Sequence, residues 1–166
     1  MSTNTSPSQE CCPEFKPENW DPTTRQWHNE SFIRGTYPSF LHIPLPGTVA
    51  KTITKLWQQA ENEHVAPEKS DFLMLANDPS PWKGEFLLKV KSPLKNADNV
   101  SLTGEFETKV FDGPYQKVPK FIQQMDQELK DKGKQAIKYY FYYTTCPKCA
   151  KKYGHNYMVA FAQTAS

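Results

Sequence analysis

Cys146 and Cys149 stand two residues apart in Cys-Pro-Lys-Cys, the spacing at which two thiolates can close on one Zn²⁺ or on each other as a redox disulfide. Lys148, Lys151 and Lys152 surround them and would favour the thiolate form. A structural zinc site needs more ligands; Cys12 is the candidate third, with Cys11 and His155 as other donors, provided the N-terminal arm folds across the domain. Structural or unliganded thiols, zinc, and a redox pair all remain open readings. No cofactor is required, and zinc is the one the sequence has room for.

The second concentration of chemistry is acidic and aromatic. Glu85 heads a segment in which Phe86, Leu88 and Val90 alternate with Glu85, Leu87 and Lys89, so strand parity puts its carboxylate on the face away from Phe86, Leu88 and Val90. A carboxylate held beside aromatics is partly desolvated and its pKa rises, which suits general-base catalysis or recognition of a cationic ligand. The bland alternative is a solvated glutamate after a glycine turn. Trp82, three residues earlier, would supply a stacking wall if the turn folds back, or else a lid on the core.

Tyr139, Tyr140, Phe141, Tyr142 and Tyr143 form one aromatic run, with Tyr139, Phe141 and Tyr143 on one face and Tyr140 and Tyr142 on the other. One set must pack under helices, leaving the other to line a groove with phenol hydroxyls. Tyr139, Phe141 and Tyr143, together with Trp82 and Tyr115, are the expected ligand-binding residues. Asp112, before Gly113-Pro114, most simply caps a turn. The sequence carries no glycine-rich phosphate loop, no GxSxG elbow and no recognisable triad.

Periodicity supplies the elements that must position these residues. Strands are expected over 31–37, 40–43, 71–76, 85–91, 100–110, 137–144 and 156–163. The Val49, Ile53, Leu56, Trp57, Ala60 stripe predicts a helix over 48–64, and Val118, Phe121, Ile122, Met125, Leu129 a second over 116–132. Pro119 suits the second helix's first turn and Gly133 its stop. Strand, Pro/Gly break, helix, strand, strand therefore occurs twice, in 31–93 and 100–163. The expected fold class is α+β: duplicated βαββ units forming one antiparallel sheet, two helices on one face and a ligand groove on the other. Residues 1–30, rich in proline and polar residues, read as a disordered tip and extended arm ahead of a single domain over 31–166. Phe15, Trp20 and Trp27 in that arm are costly to leave in water and should pack against the domain.

Composition narrows the class. The chain has 166 residues, 37% of them hydrophobic, enough for a core. Twenty Lys+Arg against eighteen Asp+Glu give +2, too balanced for an overall nucleic-acid footprint. Mean hydropathy is −0.73 and no apolar run approaches the ~18 residues that span a bilayer. The N-terminus lacks the basic and apolar segments of a secretory signal, so a cytoplasmic location with reduced thiols is expected. The partners expected are a small organic ligand, with no direct nucleic acid and no membrane.

The element order and two motifs resemble the GyrI-like small-molecule-binding domains found in gyrase-inhibitory proteins and multidrug-responsive regulators. Val110-Phe111-Asp112-Gly113-Pro114-Tyr115 is similar to the family's Gly-Pro-Tyr segment before the second helix. Tyr142-Tyr143-Thr144-Thr145-Cys146-Pro147 is similar to its tyrosine-bearing strand and Pro turn. A narrower resemblance, to stand-alone bacterial members, rests on Cys12-Pro13, Trp20-Asp21 and the TTCPKCAKKYG segment at 144–154. The wider family includes hydrolases that open cyclopropane rings of DNA-alkylating natural products, beside many binding-only domains. The resemblance favours Tyr115 and Tyr143 as ligand contacts. It is broken just before the last strand, where relatives often carry an acid and this chain has Gly154, His155 and Asn156.

The function expected is a GyrI-like binder of small molecules, with hydrolysis of electrophilic aromatic xenobiotics or natural products as its activity and Glu85 as the base. The alternatives are a non-enzymatic ligand-binding or protein-inhibitory module, and a CxxC zinc or thiol protein.

Overall fold

A computed structural model describes residues 17–20, 23–68, 71–143, 155 and 157–165. Strand β1 (Thr23–Phe40) is followed by the short β2 (Ile43–Pro44), helix α1 (Thr48–Asn62), β3 (Met74–Ser80) and β4 (Lys83–Lys89). The second half runs β5 (Asp98–Asp112), α2 (Val118–Asp131), β6 (Ala136–Tyr143) and β7 (Tyr157–Thr164). The fold is α+β and the strand pairings are antiparallel.

The strands are ordered β2-β1-β4-β3-β6-β7-β5, and a further ladder joins β1 back to β5. One antiparallel sheet was the expectation, without a statement of whether its edges meet; the β1–β5 ladder curls the six long strands into a barrel-like closure. Closure depends on the length of β1. Residues 23–30, expected within an extended arm, form its first half and pair with β5 from Thr23↔Thr108 to Trp27↔Gly104. The register slips between Trp27 and Glu30, where Asn29 takes φ 53°, and resumes from Glu30↔Leu102 to Arg34↔Asp98. In each half the first strand pairs with the last, and the last with the middle one: β1–β4–β3 and β5–β7–β6.

Burial follows the pleat. Ile33, Met74, Ala76, Phe86 and Leu88 pack with Leu56 and Ala60 of α1. Phe111, Phe141, Met158, Ala160 and Ala162 pack with Met125 and Leu129 of α2. Ala76 and Phe141 are register partners, so these two clusters share one face of the sheet. The alternate residues, Phe32, Leu75, Leu87, Phe106, Tyr140, Val159 and Phe161, point inward and form a third cluster. The face opposite the helices is therefore filled with side chains at its centre.

Trp27 enters that inner cluster, with its ring 4.5 Å from Phe106, and Trp20 lies 5.7 Å from Phe161. Burying these large rings stabilises the inward-facing layer that an irregular arm could not have held. One close approach fixes a glycine: a Cβ on Gly84 would fall 2.2 Å from the Tyr37 ring. Among the described residues, no helix is long and apolar enough to cross a membrane.

Candidate functional site

Glu85 is on the inner face, since its register partners are Thr36 on β1 and Asn77 on β3, one pleat from Leu87 and Leu75 of the inner cluster. It is 6% exposed. Burying a carboxylate is costly unless it is paired, and two side chains compensate it. Asn77 Nδ2 donates to Oε1 at 3.0 Å, and Arg34 Nε stands 3.2 Å from Oε2. The latter contact is electrostatic, because its angle leaves Nε without a hydrogen bond. Arg34 also reaches Asp98, with Nη1 3.5 Å from Oδ2, so one guanidinium serves two carboxylates. Asn77 precedes Asp78 and the turn; continuing the antiparallel Ala76↔Phe141 pair puts Tyr140 of β6 beside it.

Arg34 and Thr36 also line a cleft of about 560 Å³, closed by Thr52, Lys55 and Gln59 of α1 and by the 95–98 segment. It exists because β5 begins at Asp98, opposite Arg34, and leaves the next residues of β1 without a ladder partner on that side until Ser39 pairs with Pro44. Gly35 lets α1 approach here: a Cβ on it would meet Thr52 Cγ2 at 2.8 Å. The volume falls within the range of small-molecule sites. A second, smaller cleft of about 270 Å³ lies among Trp20, Arg25, Trp27, Phe72 and Lys89. There the Arg25 guanidinium sits 4.1 Å over Trp20, and burial pushes its pKa below the ordinary value.

The other expected site residues lie elsewhere. Trp82 is 57% exposed and packs on Phe40, with ring centroids 5.6 Å apart; the turn does not fold it back over Glu85. Tyr139 and Phe141 are in the cluster under α2, where the Tyr139 hydroxyl donates to Asp126, and Tyr143 stacks along Phe141 at 6.4 Å. This set thus took the helix-covered face, and Tyr140 and Tyr142 turned inward. Burial, then the Asp126 carboxylate, raise the Tyr139 phenol well above its ordinary pKa.

The side chain of Tyr115, and the segments holding Cys12, Cys146 and Cys149, lie outside the described residues. Among the described residues no group of three or more His, Cys, Asp or Glu is arranged to hold a metal ion. Asp112 meets His155, whose Nδ1 is 2.8 Å from Oδ2 while the imidazole stacks on Tyr157 at 4.8 Å. The residues that sequence reasoning missed are Arg34, Asn77 and Asp98. Arg34 carried a signal, a lone cation between inward Phe32 and Thr36, but its partners are set by register rather than by spacing.

Known structures share this architecture. The EcmrR C-terminal domain is 12% identical, with a TM-score of 0.65 over 88% of this chain and 98% of that one. A hydrolase from Listeria innocua is 11% identical (TM-score 0.62; 87% and 92% covered), and an uncharacterized conserved protein from the same organism 9% identical (0.63; 87% and 92%). The likeness is one of fold: this chain shares its α+β architecture with these structures over most of its length. The chain belongs to the bacterial hydrolase family, whose model matches residues 2–164. No curated protein matches it.

Proposed function

We propose that this protein binds a small electrophilic molecule in the cleft beside Arg34 and hydrolyses it with Glu85 as the base. The observation that carries this reading is that Glu85, 6% exposed, shares Arg34 with the wall of the 560 Å³ cleft. Its two carboxylate oxygens have about four acceptor sites, of which Asn77 uses one, so a water can also donate to it. Glu85 takes that water's proton as the oxygen bonds to the electrophilic carbon. The carbon–leaving-group bond breaks, or the strained ring bond opens, and the proton returns to the departing atom. Arg34 holds the carboxylate in place and offsets its charge.

Aromatic electrophiles, strained cyclopropanes included, are the substrate class we propose, supported by membership of a hydrolase family and by the resemblance of the sequence to ring-opening relatives. The same pairing order in both halves supports a duplicated βαββ origin. A binding-only module is the second reading, favoured by one fact: Arg34 and Asn77 already compensate Glu85, as a structural ion pair would require. Incubation with a panel of electrophilic aromatic compounds, followed by mass spectrometry for bound compound and for water addition, separates the two. Water-added product at a rate above the protein-free control supports hydrolysis; retained, unchanged compound supports the binder.

A further inference from the structure

Five large apolar side chains are exposed on two adjoining turns at one end of the barrel: Phe40, Leu41, Ile43 and Leu45 around β2, and Trp82 between β3 and β4. Only Ile137 and Tyr143 join them as exposed large hydrophobics among the described residues. Together the five present on the order of 500 Å² of apolar surface, the size of patch that on a monomer is often functional.

The tip is built to hold this shape. Phe40 pairs with Ile43 and Ser39 with Pro44. The Leu41-His42 turn takes φ 49° and 69°, a left-handed conformation that costs free energy for a bulky leucine. Ser39 N donates to Trp82 O and His42 N to Pro81 O, both at 2.8 Å, locking the two turns together. A strained turn that displays a leucine to solvent, braced from beneath, is opposite to what burial alone would select.

We infer that this tip seats on an anionic lipid surface, with Leu41 and Ile43 entering the interface and Trp82 at its rim. Charge around the tip favours that occupant. Lys83, next to Trp82, and Lys51, one turn into α1, are exposed and have no ion pair among the described residues. The nearby acid, Asp78, is one charge against these two lysines, and it faces His42, with Nδ1 3.7 Å from Oδ2. Apolar side chains flanked by unpaired lysines match the acyl boundary and the anionic headgroups respectively. A second copy of the chain fits less well. The patch is below the ~800 Å² per partner of a standard interface, and two-fold pairing would bring like lysines together. The sequence-level expectation of no membrane partner rested on spanning length, which surface seating does not need.

Co-sedimentation of the full chain with vesicles tests this, comparing pure phosphatidylcholine with a mixture about one-third phosphatidylglycerol. Binding is expected to the mixture, with a blue shift of tryptophan emission. F40S/W82S should abolish it while leaving the thermal melt in place. K51Q/K83Q should weaken it roughly 30-fold, about fivefold per lysine. Failure of the unmodified protein to bind the mixture, or binding that F40S/W82S leaves intact, overturns the inference. So does a concentration-dependent dimer that F40S/W82S dissolves, which would assign the tip to a second copy.

Discussion

Arg34 Nε lies 3.2 Å from Glu85 Oε2, although the two residues are not register partners: Arg34 stands across from Leu87, and Glu85 across from Thr36. The ion pair is a diagonal cross-strand contact on the inward face. Its two members are unequally placed, since the Arg34 side chain is 36% exposed and also has Asp98, whereas that of Glu85 is 8% exposed.

That asymmetry predicts unequal costs. R34M leaves a buried carboxylate with Asn77 as its remaining partner and should destabilise by about 2–3 kcal/mol, somewhat less than a fully buried broken pair. E85M leaves Arg34 partly solvated and paired with Asp98, and should cost under about 1 kcal/mol. Urea unfolding of both variants checks this; equal or reversed costs would mean that Arg34 does not compensate Glu85.

Gly84→Ala would drive a methyl group into the Tyr37 ring, whose nearest atoms lie 2.2 to 2.4 Å from the ideal Cβ. The expected loss is about 1–3 kcal/mol, from forced displacement of a 6%-exposed tyrosine. Adding Y37L should recover part of it. A G84A protein as stable as the parent would contradict the packing of β1 against β4.

Tyr139 gives a pH signature. Its phenol pKa is raised by burial, then by Asp126, so the folded state favours the neutral hydroxyl. A raised value contributes stability that is present below the phenol's ordinary value near ~10 and is lost as pH climbs beyond it. Y139F should cost about 1 kcal/mol at pH ~7, the worth of one hydrogen bond. The gap from the parent should close in melts taken above pH ~10; a gap constant with pH would rule out the titrating contact.

The elements read from sequence were those with strong local periodicity. The α1 stripe predicted 48–64 against Thr48–Asn62, and the α2 stripe 116–132 against Val118–Asp131. Parity also placed Glu85 on the correct face, because a strand's period of two survives any tertiary arrangement. Residues 23–30 were not legible as strand: Pro22 precedes them, and the slip between Trp27 and Glu30 breaks the alternation, so pairing with β5 alone makes them β1. The expected strand at 40–43 is instead a hairpin turn, because Leu41 and His42 adopt positive φ without the glycine or asparagine that marks such turns. The site was half legible. Both faces of 139–143 are aromatic, so nothing local said that Tyr140 and Tyr142, rather than Tyr139 and Phe141, would turn inward.

The most direct test of the central claim is to measure Glu85→Gln for turnover and binding side by side, using a compound that the unmodified protein converts to its water adduct. Glutamine keeps the size and a carbonyl acceptor for Asn77 but cannot take a proton. Turnover is expected to fall by about 10²-fold or more while the compound still binds within a few-fold of the parent. Turnover within a few-fold of the parent would contradict the claim, and would leave the buried Arg34–Glu85 pair as a purely structural contact.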